Sequence, residues 1–168
     1  GSEMCIRDRA IIYQDLLDNY KSERLDFIKL KLDHPLYIMF SSGTTGKPKC
    51  IVHSAGGVLL KHLVEVGLHS NAGEKKKFFY FTTCGWMMWN WLVSSLMLNS
   101  TICLYDGSPF YPNSDILWTY AEEEKFNFFG TSAKYIDALS KFKNNISEKF
   151  ELENLETIGS TGSPLVHE

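Results

Sequence analysis

Several features that define other classes of protein are absent from this 168-residue sequence. The four cysteines form no CxxC pair, and the five histidines do not fall at the spacing of a zinc site. No apolar run approaches the roughly 20 residues that a membrane-spanning helix needs. The net charge of −3 leaves no excess of basic residues for a nucleic-acid surface. We therefore expect no zinc site, no membrane span and no nucleic-acid partner, and a reducing compartment, the cytoplasm.

The beginning of the sequence differs from the remainder. Gly1-Ser2 is typical of a cloning remnant, and the segment 3–9 has no apolar periodicity. We expect residues 1–9 to be a tag or an artefact, and residues 10–168 to form the folded part.

Apolar spacing and turn residues predict alternating helices and strands. Helices are predicted at 10–32, 54–68 (capped by Ser54), 89–98, 115–124 and 132–142 (capped by Ser132). Strands are predicted at 36–40, 50–53, 78–82, 101–105, 126–129 and 155–160. The alternation favours an α/β fold, a mostly parallel sheet with flanking helices. Ligands of such sheets bind beyond the carboxyl ends of the strands, where we expect both glycine-rich loops of the chain to meet in one crevice.

The first of these loops follows the apolar stretch 36–40 and reads Ser41-Ser42-Gly43-Thr44-Thr45-Gly46-Lys47-Pro48-Lys49. Glycine lets a backbone approach a ligand closely, and successive backbone N–H groups form a concave anion site. The hydroxyls add donors, and lysine supplies positive charge for phosphate. The loop therefore predicts a site for a polyphosphate such as ATP, although composition alone leaves a plain surface loop open.

The same loop is not a Walker P-loop. Only two residues separate Gly43 from Gly46, fewer than that motif requires. Lys47 precedes Pro48, which disfavours the helical conformation that the Walker lysine adopts. A P-loop NTPase is therefore a distant alternative.

An aromatic-rich stretch contains Trp86, Met87, Met88, Trp89 and Trp91. Plain core packing is expected for Trp89 and Trp91. The other three follow a predicted strand-to-helix turn, where they could line a pocket for a small acyl group.

The second glycine-rich loop follows the predicted strand 155–160 and reads Gly159-Ser160-Thr161-Gly162-Ser163-Pro164-Leu165. By itself it is a weak signal. Together with the other two stretches it carries a resemblance to a known family.

The segment 37–49 resembles the phosphate-binding signature of the adenylate-forming enzymes, the superfamily of acyl-CoA synthetases and luciferases. The signature ends in glycine, where this chain has Cys50. The loop 159–165 resembles the adenine-contacting loop of the same superfamily. The segments 84–94, 105–110, 130–135 and 160–165 are similar to the branch of acid–CoA ligases that acts on acetoacetate.

The resemblance implies a two-step reaction with ATP, Mg²⁺ and coenzyme A. A carboxylate, here acetoacetate, attacks the α-phosphate of ATP and releases pyrophosphate. The thiol of coenzyme A then converts the acyl-adenylate to a thioester and releases AMP. Because the first step joins two anions, its catalysis depends mostly on positioning and charge neutralisation.

The resemblance also implies roles for individual residues. The nucleotide phosphates would be held by Ser41, Ser42, Gly43, Thr44, Thr45 and Gly46. Lys47 and Lys49 would offer charge, or could be solvated. Adenine would be bordered by Gly162, Ser163 and Pro164. The acyl pocket would be shaped by Trp86, Met87, Met88 and Thr161.

The family's magnesium-binding glutamate, ribose-binding aspartate and catalytic lysine belong to motifs beyond residue 168. We therefore expect the chain to be the central part of an adenylation domain, inactive by itself, with no metal ligand among its residues. Two alternatives stay open: a ligase for another acid, such as acetate, propionate or a longer acyl chain, and a non-catalytic nucleotide-binding or interaction module.

Overall fold

The computed structural model describes residues 10–41, 46–142 and 145–164. The chain forms two compact units, residues 1–30 and residues 31–168. The first unit contains one described helix, α1, Tyr13–Asn19. The predicted helix 10–32 is therefore wrong beyond Asn19. Its apolar side chains at Leu25, Phe27 and Ile28 are exposed, and a helix without a packed face is marginal in water.

The second unit contains six strands and five helices among its described residues. The strands are β1 (Pro35–Ser41), β2 (Lys49–Ser54), β3 (Lys77–Tyr80), β4 (Thr101–Cys103), β5 (Phe128–Ser132) and β6 (Thr157–Thr161). The helices are α2 (Ala55–His62), α3 (Met87–Ser94), α4 (Ile116–Glu124), α5 (Ala133–Ser140) and α6 (Ile146–Lys149). A π-helical segment, Leu63–His69, extends α2, and a 3₁₀ segment, Ser95–Leu98, extends α3.

Two strands form a hairpin that is separate from the main sheet. β1 and β2 pair in antiparallel orientation, with Ser41 opposite Lys49, and form a two-stranded sheet. The strand and its return strand are predicted correctly. The expectation that both glycine-rich loops follow strands of one parallel sheet is wrong, because β1 belongs to this hairpin.

The main sheet has four strands in the order β4-β3-β5-β6. All three pairings are parallel, as the alternation of strands and helices predicts. β5 begins and ends later than the predicted strand 126–129, because Phe126 still bonds to the end of α4: its N–H donates to the Ala121 carbonyl after the left-handed Lys125.

Helices cover both faces of this sheet. One face buries Phe78, Tyr80 and Phe128 against Val66, Trp91 and Leu92. The other face buries Phe79 and Phe129 against residues of α4 and α5, including Trp118 and Tyr135. Core packing is confirmed for Trp91, whereas Trp89 is half-buried.

Both predicted serine caps are confirmed. The Ser54 Oγ accepts the N–H of Gly57 at 3.2 Å, and the Ser132 Oγ accepts the N–H of Tyr135 at 3.2 Å. Such bonds satisfy N–H groups that lack a partner in the first turn of a helix. In the described part of the chain, no helix is long and apolar enough to cross a bilayer.

Candidate functional site

A cavity of about 450 Å³ lies where three strands of the parallel sheet end. Tyr80 and the loop after β3 form one wall, with Thr82, Thr83, Trp86 and Met88. The end of β5 and the start of α5 contribute Thr131, Ser132 and Lys134. The end of β6 contributes Thr161, Gly162 and Ser163.

The strand order explains why a cavity forms here. β3 is followed by α3, which packs on one face of the sheet, and β5 is followed by α5, which packs on the other face. The chain therefore leaves two neighbouring strands in opposite directions. Such a switch point opens a crevice at the carboxyl ends of the strands, where ligands of doubly wound sheets bind.

Tyr80, which lines the cavity, packs against Gly130 of β5. The Tyr80 hydroxyl donates to the backbone carbonyl of Thr131 at 3.0 Å. Burial raises the pKa of Tyr80 to about 12, so the phenol stays protonated and keeps donating. A Cβ atom at position 130 would lie 2.0 Å from the Tyr80 ring, so glycine is required there for the ring to keep its place.

The walls combine apolar surface with hydroxyl groups. Trp86 and Met88 supply the apolar part, although Trp86 is 70% exposed. Lys134 carries the one charged side chain among the described residues that line the cavity. Gly162 has a φ of +93°, a conformation that L side chains rarely adopt, so the turn after β6 requires glycine. The site suits a small, partly polar ligand.

One wall residue carries a buried hydroxyl without a hydrogen bond. Among the described residues, three buried side-chain polar atoms lack a partner: Trp118 Nε1, Tyr135 OH and Thr131 Oγ1. Of these three, Thr131 alone lines the cavity.

Five of the residues that the sequence assigns to the adenine border and the acyl pocket line this cavity together. They are Trp86, Met88, Thr161, Gly162 and Ser163. Met87 and Pro164 are not among its lining residues, and Met87 is exposed at the first position of α3.

The residues assigned to the nucleotide phosphates lie elsewhere or outside the described ranges. Ser41 ends β1 and Lys49 begins β2, and neither lines the cavity. Gly46 and Lys47 are exposed in the turn of the hairpin and do not line it either. Ser42, Gly43, Thr44 and Thr45 fall outside the described residues. The cavity is therefore lined by residues of the second glycine-rich loop and by none of the described residues of the first. The two loops do not meet in one crevice among the described residues.

The sequence analysis assigned no place in the binding site to Thr131, Ser132 or Lys134, although all three lie in the segment 130–135 that carries the resemblance. A signal was present, because Ser132 was identified as a helix cap directly after a predicted strand. The residues at such a junction lie at the carboxyl end of the sheet, where ligands bind. Within the described ranges, no three His, Cys, Asp or Glu side chains group in a way that could hold a metal ion, so we assign Mg²⁺ no ligand here.

Comparison with known proteins supports the resemblance seen in the sequence. The chain is 54% identical over 156 residues to the acetoacetyl-coenzyme A synthetase of Rhizobium meliloti (strain 1021), covering 93% of this chain and 24% of the relative. It is 40% identical over 159 residues to the malonamoyl-CoA synthetase vrtB of Penicillium aethiopicum, covering 86% of this chain and 22% of that protein. The chain therefore spans about a quarter of the length of the curated relatives it matches.

A solved structure extends the agreement to the fold. The acetoacetyl-CoA synthetase from Streptomyces lividans superposes with a TM-score of 0.79 at 44% sequence identity, covering 90% of this chain and 23% of that one. The family model for the AMP-binding enzymes matches residues 5–168. The switch-point cavity, the shared fold and the match over nearly the whole sequence lead to one conclusion: the chain belongs to the AMP-binding enzyme family.

Proposed function

We propose that the chain is part of an ATP-dependent acid–CoA ligase whose acid is acetoacetate. The observation that carries the proposal is the similarity in both sequence and fold to acetoacetyl-CoA synthetases along about nine-tenths of the chain. We also propose that the protein acts in the cytoplasm. The described cysteines, Cys50, Cys84 and Cys103, are free thiols, which suits a reducing compartment.

The proposed reaction has two steps. In the first, a carboxylate oxygen of the acid forms a bond to the α-phosphorus of ATP, and the bond from that phosphorus to the bridging oxygen breaks, so that pyrophosphate leaves. In the second, the sulfur of coenzyme A bonds to the acyl carbon, the acyl–oxygen bond breaks, and AMP and the thiol proton are released. The family uses magnesium, and we propose no described residue of this chain as its ligand.

The cavity supplies positioning for the acid. Trp86 and Met88 would contact the carbon chain and exclude water from the mixed anhydride. Thr161, Gly162 and Ser163, at the end of β6, would border the adenylate. Pro164 and Met87 stay assigned to these sites by resemblance alone, as do the loop residues from Ser41 to Lys49.

The relatives' names indicate a common chemical feature of the acid. An acetoacetyl group and a malonamoyl group both carry a second carbonyl at the β carbon, a ketone in the first and an amide in the second. Acids without this oxygen, such as acetate and propionate, are the alternative substrates.

The proposal is tested by pyrophosphate–ATP exchange with the protein expressed from the complete gene. Exchange that depends on acetoacetate, and exceeds the exchange with acetate, propionate and butyrate, is expected. Exchange with one of the other acids alone would show that the acid is assigned wrongly. Binding of ATP, measured by calorimetry, without exchange for any acid would favour a nucleotide-binding module.

A pair of methionine variants tests the acyl pocket. Met88→Ala enlarges the cavity, so it should shift kcat/KM towards acids with longer chains. Met97→Ala is the matched control, because Met97 is partly exposed in the 3₁₀ segment and does not line the cavity. An unchanged preference in Met88→Ala would remove Met88 from the pocket.

A further inference from the structure

We infer that Lys134 binds the carboxylate of the acid and holds it between the acyl pocket and the adenylate border. The inference rests on the proposed function, because it names the group that holds the reacting anion of the proposed substrate. The sequence analysis assigned Lys134 no place in the site. The interaction is ionic, so it concerns a group that every acid substrate carries.

The charge of Lys134 distinguishes it from the other described residues of the cavity wall. Those residues supply aromatic rings, a methionine, hydroxyl groups and backbone, and none of them is charged at neutral pH. A hydroxyl group can bind any oxygen of a ligand, whereas an ammonium group attracts an anion in particular. The described wall therefore has one position at which a carboxylate is favoured over a neutral group.

Lys134 has no anionic partner among the described residues, although several lysines of the chain do. Five other lysines form ion pairs there, and one of them is Lys141 at the far end of the same helix, which pairs with Asp137 at 3.3 Å. Lys134 lies in the first turn of α5, where the helix dipole is also positive. These two positive charges repel each other, and a bound anion would offset the repulsion.

The strand order places Lys134 between the two halves of the proposed site. β5 lies between β3 and β6 in the sheet. The loop after β3 contributes Trp86 and Met88, which we assign to the carbon chain of the acid, and the end of β6 contributes the residues assigned to the adenylate. Lys134 enters the wall from the helix that follows β5. Because the carboxylate joins the carbon chain to the adenylate, it belongs between those two walls.

The backbone of Lys134 is fixed before a ligand binds. The Ser132 Oγ accepts the N–H of Tyr135 at 3.2 Å, which holds the first turn of α5 in place. The two neighbours in the chain, Ala133 and Tyr135, are buried. Lys134 itself is exposed, so its flexible side chain can adjust to a ligand while its starting point stays where it is.

The first step of the proposed reaction needs such a group. A carboxylate beside Trp86 and Met88 loses part of its hydration, and this loss is costly unless a charge or a hydrogen-bond donor replaces the water. The ammonium group of Lys134 supplies both. It would bind one carboxylate oxygen, while the other oxygen stays available to bond to the α-phosphorus.

The test compares Lys134→Met with Lys134→Arg in the protein expressed from the complete gene. Pyrophosphate–ATP exchange gives the KM for acetoacetate and the KM for ATP. Methionine removes the charge and keeps much of the length, so the KM for acetoacetate should rise roughly 10- to 100-fold while the KM for ATP is unchanged. Arginine keeps the charge and should retain most of the affinity.

Butyrate provides a second readout, because it has the same carboxylate without the β-carbonyl oxygen. Its inhibition constant, measured by competition with acetoacetate, should rise by the same factor in Lys134→Met. The matched control is Lys141→Met, which removes an exposed lysine that does not line the cavity and should leave all of these constants unchanged. Should the Lys134→Met protein not fold, Lys134→Gln removes the same charge and is measured in the same way.

Three outcomes would overturn the inference. An unchanged KM for acetoacetate in Lys134→Met would show that the lysine is solvated. A rise in the KM for ATP alone would assign its charge to the nucleotide. A loss for acetoacetate without a loss for butyrate would show that Lys134 binds the β-carbonyl oxygen and not the carboxylate.

Failure of the proposed function gives a different result. An unsubstituted protein that activates another acid and not acetoacetate would overturn the proposed acid alone, because that acid also carries a carboxylate and the same variants are then measured on it. An unsubstituted protein that activates no acid would overturn both.

Discussion

The hairpin and the four-stranded sheet contain the same kinds of side chain in opposite environments. Phe40 of β1 is 68% exposed, whereas Phe129 of β5 is fully buried between α4 and α5. Leu36, Ile38 and Ile51 of the hairpin are exposed as well. Apolar residues thus predict a strand in both regions, but they do not predict what covers it.

The difference follows from the way each sheet is connected. A parallel pair requires a crossover, and the helices of these crossovers cover the sheet on both faces. A hairpin needs only a turn, so its formation brings no covering helix with it. The burial of the main sheet is therefore a consequence of its topology.

The largest expected effect comes from removing a ring in each region. Phe129 stacks on Trp118 with ring centroids 4.4 Å apart, so Phe129→Ala should lower the free energy of unfolding by about 3–5 kcal/mol. Phe40→Ala should change it by no more than about 0.5 kcal/mol, because the side chain is exposed. Urea unfolding monitored by circular dichroism measures both. A comparable loss for Phe40→Ala would show that the hairpin is covered in solution and would remove the contrast.

Two glycines test the same difference between the hairpin and the sheet. In Gly130→Ala the new methyl group would lie 2.0 Å from the Tyr80 ring, so the ring must move and we expect a loss of about 1–3 kcal/mol. At Gly46, in the hairpin turn, a Cβ has no neighbour within 4 Å, so Gly46→Ala should be neutral or stabilise by up to about 1 kcal/mol. Thermal unfolding midpoints measure the pair. A harmless Gly130→Ala would contradict the packing described for Tyr80.

Helix caps should behave alike in the two regions, because a cap is a local interaction. Ser54 begins the helix after the hairpin, and Ser132 begins the helix after β5. Each alanine variant should lose about 1 kcal/mol of unfolding free energy in urea titrations. A much larger loss for Ser132→Ala than for Ser54→Ala would show that its hydroxyl has a second structural role in the cavity wall.

The smallest expected effect concerns pH and the buried His62. Its Nδ1 lies 2.6 Å from the Ser94 Oγ. Because the Ser94 hydroxyl donates its own proton to the Asn90 carbonyl, the imidazole Nδ1–H donates to the Ser94 Oγ. Burial lowers the pKa of His62 below its usual value, and Glu65 partly opposes the shift. The unfolded chain therefore takes up a proton before the folded one as the pH falls below about 6.5.

This contribution to stability is present above that pH and is lost as the pH falls towards the folded pKa. Unfolding free energies at several pH values between about 5 and 8 measure the slope. His62→Asn keeps a donor at the same place and should flatten the slope. His69→Gln, at the exposed end of the π-helical segment, is the control. An unaltered slope in His62→Asn would assign the pH dependence to other groups.

Much of the fold could be predicted from the sequence because its signals are local. Apolar runs and capping serines lie next to one another in the chain, so β1, β2 and the helices after Ser54 and Ser132 were identified. The helix predicted to reach residue 32 is too long. Apolar periodicity shows that a helix could bury one face, but it does not show whether another element is present to cover that face. The strand predicted at 126–129 begins too early, because Phe126 is apolar like the strand residues while its N–H donates to the last turn of α4.

The site was predictable only where a turn shows itself in the sequence. Gly162 and Trp86 stand at turns after strands, and the structure places both in the cavity wall. Thr131 gives no such signal, since a threonine in a strand is ordinary. Its place in the cavity wall arises from the pairing of β5 with β3 and β6, which depends on residues that are distant in the chain.

The strand order also describes how the sheet can be assembled during synthesis. β3 emerges from the ribosome first, β4 then joins one of its edges, β5 joins the other, and β6 adds to β5. Each of these strands thus attaches to an edge that is still open, and no pair among them has to separate to admit a later one. The sheet can grow outward from Phe78 and Phe79 in the order in which the chain is made.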